Sequence, residues 1–232
     1  PVKRGSEVKA RVKEILGDPF APKSFSLIAI HKFEIPLHFP DAVIEEAEQA
    51  TKLPVSEEKR EDLRHLPIVA IDPADARDHD DAIWAEPDDS PDNKGGFRAL
   101  IAIADVSYYV RPGSKLDREA YKRGNSVYFP DRVVPMLPEA LSTDVCSLKQ
   151  GVDRASLVCH VTINAKGQVI ASRFTRAIVR LAGNIAYEDA QAAMDGKLDH
   201  PLKSKALEPL WACWKLLAKA RDEREPLNLD LP

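Results

Sequence analysis

Five aspartates, Asp72, Asp75, Asp78, Asp80 and Asp81, stand within ten positions of the stretch IVAIDPADARDHDDAIWA, residues 68–85. Runs of like charge normally sit in solvated loops, because carboxylates repel one another. Here the flanks PIVAI (67–71) and AIWA (82–85) are apolar and rich in branched residues, as buried strands are. The fold must therefore place a dense negative cluster where two buried segments meet.

The residues alone leave three readings of that cluster. One is an acidic surface loop, which the tight apolar flanks disfavour. Another is a calcium loop of the EF-hand kind. Counted from Asp72, its sixth position is Arg77 rather than Gly and its twelfth is Ile83 rather than Glu. Counted from Asp78, the sixth position is again Ile83. The third is a catalytic magnesium site, since hard cations take carboxylate oxygens and two-metal sites need several of them from different directions. In a flat strand Asp80 and Asp81 would face opposite sides. A bend after Pro73 is required to gather them. Without metal, repulsion should raise at least one of their pKa values.

Elsewhere the patterning mixes strands and helices without strict alternation, which predicts an α+β fold. EVKARVKEIL (7–16) and FSLIAI (25–30) read as strands, too few for a core of their own. PDAVIEEAEQATKL (40–53) reads as a helix with Asp41 as its cap, and SEEKREDLRHL (56–66) as a solvated helical or irregular linker. FRALIAIADVSYYV (97–110) predicts a buried strand, SKLDREAYKRG (114–124) a helix closed by Gly124, and RASLVCHVTINAKGQVIASRFTRAIVR two strands joined near AKG. A last helix starts near Pro209 and carries an apolar stripe of Leu210, Trp211, Trp214, Leu217 and Ala218, read as core packing.

Composition narrows the class. Hydrophobic residues make up 44% and charged residues 30% of 232, as in soluble globular chains. No apolar run approaches the roughly 20 residues that span a membrane. Three cysteines, Cys146, Cys159 and Cys213, are too scattered for a disulfide framework or a zinc knuckle, and suit a reduced, cytoplasmic setting. A net charge of −4 lends no support to nucleic-acid binding, although Lys and Arg recur between Arg111 and Arg132. Arg111, Lys115, Arg118, Lys122 and Arg123 could serve phosphates or plain solubility. No glycine-rich phosphate loop is present.

IDPADARDHDDAI, together with IAIADVSYYVRPGSKLDREAYKRGNSVYFPDRVVPMLPEALSTDVCSLKQGVDR, closely resembles the RNB catalytic domain of the RNase II and RNase R exoribonucleases, nearest to the bacterial RNase R branch. The resemblance runs from about residue 67 to about residue 224. It implies the front part of an RNB domain over 67–232, a helical linker over 40–66, and over 1–39 the last strands of an OB-type cold-shock barrel. The chain is expected to be a fragment of a longer protein.

The resemblance further implies hydrolysis of single-stranded RNA from its 3′ end to nucleoside 5′-monophosphates, with Mg2+ or Mn2+ held by Asp72, Asp78, Asp80 and Asp81. Asp80 is the one whose loss should stop chemistry and spare binding, and Asp75 lies outside the set. Tyr128 in SVYFP resembles a tyrosine that stacks on a base near the RNA end, and Tyr187 in NIAYEDA a second tyrosine in the RNA channel. His79 is expected to point away from the site, where relatives tend to carry an apolar residue. Asp105 is read as a hydrogen-bonded structural carboxylate. The alternative is a non-catalytic RNA-binding module on the same fold. A fragment should also expose an apolar face and self-associate through it, and be weakly active or inactive alone.

Overall fold

Period-two alternation along four central segments builds the sheet. The computed structural model describes residues 11–12, 15–18 and 20–224. In chain order the elements are α1 (Pro22–Lys32), α2 (Asp41–Ala50), β1 (Glu61–Asp62), β2 (Val69–Asp72), β3 (Asp81–Pro87), β4 (Phe97–Ala104), α3 (Lys115–Arg123), β5 (Val127–Tyr128), β6 (Val133–Val134), β7 (Asp153–Ile163), β8 (Val169–Arg180), β9 (Gly183–Ala186), α4 (Tyr187–Met194) and α5 (Glu208–Asp222). Seven strands form one mixed sheet in the order β1-β8-β7-β4-β3-β2-β9, and β5 pairs with β6 in a separate hairpin. The β1–β8 and β2–β9 pairs are parallel and the others antiparallel. This is the α+β architecture that the patterning predicts.

Alternation sorts residues onto two faces. On one, Ala82, Leu100, Ala102, Val158 and Ala177 are at most 1% exposed and pack against α2, through Val43 and Ala47, and against Leu116 of α3. On the other, α5 lays Cys213 over Ala85, Phe97 and Ile163, while Leu207 and Ala193 cover Val69 and Ile185. Gly167 makes the α5 contact possible. It has φ +72° in the β7–β8 turn, and a Cβ there would fall 2.2 Å from the Leu216 carbonyl oxygen.

α5 covers only part of this second face. Cross-strand rows Ile83–Ile101–Cys159–Phe174 and Asp81–Ile103–Leu157–Arg176 continue past it. Ile101, Ile103, Leu157 and Phe174 are 43%, 45%, 43% and 70% exposed. The predicted apolar face is thus a sheet surface, and it runs from α5 to the acidic loop. Within the α5 stripe Leu210, Trp211 and Leu217 are half-buried, but Trp214 is exposed and borders an apolar groove of about 640 Å³.

Three expectations are corrected, those for FSLIAI, for Asp41 and for 56–66. FSLIAI lies in a helix: Pro22 fits the first turn of α1, and a short apolar run fits either period. No strand precedes Glu61 among the described residues, so no strand of a cold-shock barrel is seen, and most of 7–16 lies outside them. Asp41 is the first helical residue of α2, after Pro40, and makes no side-chain cap bond. The charged stretch 56–66 is not merely a solvated linker. Glu61 and Asp62 pair with Ala177 and Ile178, Leu63 is 4% exposed, and the Arg60 side chain is buried against Asp105.

Candidate active site

The acidic loop leaves the sheet at Asp72 and returns at Asp81. A turn closed by the Ala76 N–H on the Pro73 carbonyl at 3.0 Å supplies the bend. The chain then runs between two fixed segments. On one side Ser147 and Leu148 hold Arg77 and His79: Ser147 Oγ accepts from the His79 N–H at 3.1 Å and donates to the Arg77 carbonyl at 2.9 Å, and the Leu148 N–H reaches the His79 carbonyl at 2.9 Å. On the other side the Ala104 N–H donates to the Asp80 carbonyl at 2.9 Å. Leu148 is itself tied down by Asn184, which donates to its carbonyl at 3.0 Å and accepts from the Gln150 N–H at 2.7 Å.

This backbone gathers the four predicted carboxylates into one electrostatic cluster. The Asp80 carboxyl is pushed above the ordinary carboxylate range, first by desolvation and then by the charges of Asp78, Asp81 and Asp72; His79 opposes the shift. Part of Asp80 still reaches solvent at the loop's rim, so access from outside is kept. Asp75 is exposed in the turn.

His79 does not point away. Its Nδ1 lies 2.7 Å from Asp72 Oδ2, with both side chains mostly buried. Asp72 is thereby drawn toward the imidazole. Among the described residues no three His, Cys, Asp or Glu side chains converge to hold a metal ion. The donor chemistry nonetheless suits a divalent cation: the carboxylates are hard oxygen donors, and three of them stand close enough to Asp80 to disfavour its charge. It is gathered without being closed on a common point.

Two tyrosines flank the loop from different elements. Tyr128, on the β5–β6 hairpin, is 68% exposed. Its hydroxyl holds its proton more tightly than usual, first through desolvation and then through the charges of Asp78 and Asp80. The hairpin is braced by Ser26 of α1 on Asp131, and by the Arg123 guanidinium on the Pro135 carbonyl at 3.1 Å. Tyr187 opens α4 and directly follows Ala186, the β9 residue in register with Asp72. It is 55% exposed and lines the apolar groove.

Other candidates resolve as structural. Asp105 is buried. Burial alone would raise its carboxyl, but hydrogen bonds from Ser107 and Arg60 and the charges of Arg60 and Arg176 outweigh this and hold it low. Arg123 is also buried, paired with Glu119 at 2.9 Å and stacked 3.6 Å from the Phe39 ring centroid, so it offers nothing to phosphate. The Cys146 thiol is pushed up to about 12, chiefly by burial, and is inert. Ser147 and Asn184 carry the loop's support, and residue type alone marked neither of them.

The profile of the RNB domain family matches residues 60–232. The chain belongs to the RNB domain family. Ribonuclease R of Vibrio parahaemolyticus and ribonuclease R of Escherichia coli are each 42% identical to it, across 98% of this chain but 27% and 28% of their own lengths. The chain thus spans little more than a quarter of these relatives. Among solved structures, Mycoplasma genitalium RNase R in complex with ribose-methylated single-stranded RNA matches with a TM-score of 0.81 and 26% identity, over 92% of this chain and 33% of that one. Yeast Ssd1, described as a pseudonuclease, shares the fold alone, with a TM-score of 0.58, 16% identity and coverage of 78% of this chain and 24% of its own. The RNB fold therefore does not by itself decide activity. In this RNB chain all four aspartates of the cluster are present.

Proposed function

We propose that this RNB chain is the catalytic part of a cytoplasmic 3′-to-5′ exoribonuclease that hydrolyses single-stranded RNA to nucleoside 5′-monophosphates. The crowding of Asp72, Asp78 and Asp81 around Asp80 carries the reading. Asp72, Asp78, Asp80 and Asp81 are the residues that would hold Mg2+ or Mn2+. When bound, such an ion polarises a phosphate oxygen and lowers the pKa of a water. The chain's own residues do the rest. Tyr128, exposed beside Asp78 and Asp80, offers a ring on which a terminal base can stack. Tyr187, next to the Asp72 end of the sheet, offers a second. The Ser147, Leu148 and Ala104 contacts hold the loop still while charge develops at the phosphate.

Turnover by this chain alone should be weak, because its carboxylates are not closed on one point. The same observation favours the rival reading, an RNA-binding module without catalysis. Degradation of uniformly labelled RNA in Mg2+, Mn2+ or Ca2+, by this chain and by its full-length parent, separates the two. The proposal expects mononucleotide release with Mg2+ or Mn2+. It also expects a loss of about a thousandfold or more in Asp80→Asn, the scale of losing a charge-stabilising group, with RNA still bound. Undiminished cutting by Asp80→Asn would end the assignment of Asp80. Binding without cutting by the parent, in any metal, would favour the module.

A further inference from the structure

We infer that Ser147 is a positioning residue for the aspartate cluster, setting the direction in which Asp78 presents its carboxylate. This rests on the metal-site reading above. The two groups that the Ser147 hydroxyl touches are the Arg77 carbonyl and the His79 N–H, the peptide groups immediately before and after Asp78. The first sets φ of Asp78 and the second sets ψ. One hydroxyl oxygen bonded to both fixes the two peptide planes relative to each other, and so fixes the Cα–Cβ direction of Asp78 between them.

The hydroxyl can do this because it is itself immobile. Ser147 is 0% exposed, so water cannot take its place. Its N–H donates to the Asp144 carbonyl at 3.1 Å, and its carbonyl accepts from Arg154 Nε at 2.8 Å. Arg154 in turn donates to the Asp144 carbonyl at 3.1 Å. Leu148, the next residue, carries the Asn184 bond and holds the His79 carbonyl. The clamp closes around Asp78, whose charge bears on both Asp80 and Tyr128. Every buried hydroxyl needs partners; this one takes both from the peptide groups that flank Asp78.

The test compares Mn2+ binding, by calorimetry and by electron paramagnetic resonance of the ion, for the unmodified chain and for Ser147→Ala, Ser147→Cys, Asn93→Ala and Asp80→Asn. Asn93 is the control: it too is buried, and its amide donates to the Asp88 carboxylate at 2.9 Å and to the Ile163 carbonyl at 3.1 Å, at the other end of the sheet from the loop. Supporting residues of metal ligands typically change affinity about 10–100-fold. Ser147→Ala should therefore weaken Mn2+ binding about tenfold or more and alter the ion's spectrum while remaining folded. Ser147→Cys, of similar size and with a weak donor and acceptor, should fall between. Asn93→Ala should lower melting temperature without moving Mn2+ affinity. In the full-length parent, Ser147→Ala should lower kcat with little change in KM for RNA.

Unchanged Mn2+ affinity in Ser147→Ala, with Asp80→Asn still losing it, would overturn the inference and leave the metal site standing. Equal weakening by Asn93→Ala would overturn it as generic loosening. Failure of both Ser147 variants to fold would make Ser147 a folding residue only. No Mn2+ binding by the unmodified chain would overturn the metal reading and this inference together.

Discussion

The buried ion pair between Arg60 and Asp105 should be the costliest polar contact to break. Both side chains are 4% exposed and meet at 2.7 Å. Arg60 also donates to the Ala177 carbonyl at 3.3 Å and lies 5.0 Å from the Tyr108 ring centroid, while Ser107 donates to Asp105 at 2.6 Å. Removing one partner of such a pair leaves a buried charge and costs about 3–5 kcal/mol. In Arg60→Met, Asp105 keeps Ser107 and a more distant Arg176 at 3.9 Å, which puts the loss near the lower end, about 3 kcal/mol. For a chain of this size that is a drop in melting temperature of roughly 6–12 °C.

Replacing both partners, Arg60→Met with Asp105→Leu, should recover most of the loss, because no charge is then stranded. The acid limb gives a second signature. The folded Asp105 carboxyl lies below its ordinary value, so its contribution is full above pH about 4, the unfolded value, and is lost as pH falls through the folded value. Urea melts from pH 7 downward should show that slope in the unmodified chain and a shallower one in Arg60→Met. A loss under about 1 kcal/mol, or an unchanged acid slope, would refute the reasoning. Asp105 directly follows Ala104, which donates to the Asp80 carbonyl, so the same variant should speed amide exchange in the aspartate loop.

Further outcomes follow from single contacts. Tyr128→Ala should weaken RNA binding by the 1–3 kcal/mol or so that base stacking is worth, whereas Tyr128→Phe should hold it, as read in a salt-controlled titration. Gly167→Ala should cost about 1–3 kcal/mol or more, because φ is +72° and the methyl would strike the Leu216 carbonyl; an unchanged melting temperature would contradict this docking of α5. The uncovered face should drive concentration-dependent self-association in sedimentation, reduced by Phe174→Glu; a strictly monomeric chain at high concentration would count against it.

What the sequence made legible was what alternation and punctuation encode. The alternating runs of β3, β4, β7 and β8 emerged as strands, and Ser114, which caps α3 through the Asp117 N–H at 3.1 Å, and Gly124 at its far end delimit that helix. The acidic loop announced itself because its apolar flanks forbid an ordinary surface run. The apolar run FSLIAI was ambiguous for its length, and its helix is docked by a contact, Ser26 to Asp131, that spans 105 residues. Ser147 was hidden for the same reason: its partners lie about 70 residues upstream and are backbone groups, which carry no residue signature. His79 was misplaced because its acidic neighbours were expected to fill the site and relatives tend to carry an apolar residue there. The bend lets the imidazole reach Asp72, seven residues earlier.

Anomalous scattering from a crystal of the chain soaked in Mn2+ with a short single-stranded RNA bears most directly on the catalytic claim. We predict metal density bounded by oxygens of at least three of Asp72, Asp78, Asp80 and Asp81, at about the 2.0–2.1 Å typical of Mg2+ sites, with Asp72 released from His79 and the RNA 3′ end alongside. Bound RNA with no metal at these carboxylates, or metal held elsewhere while His79 keeps Asp72, would contradict it.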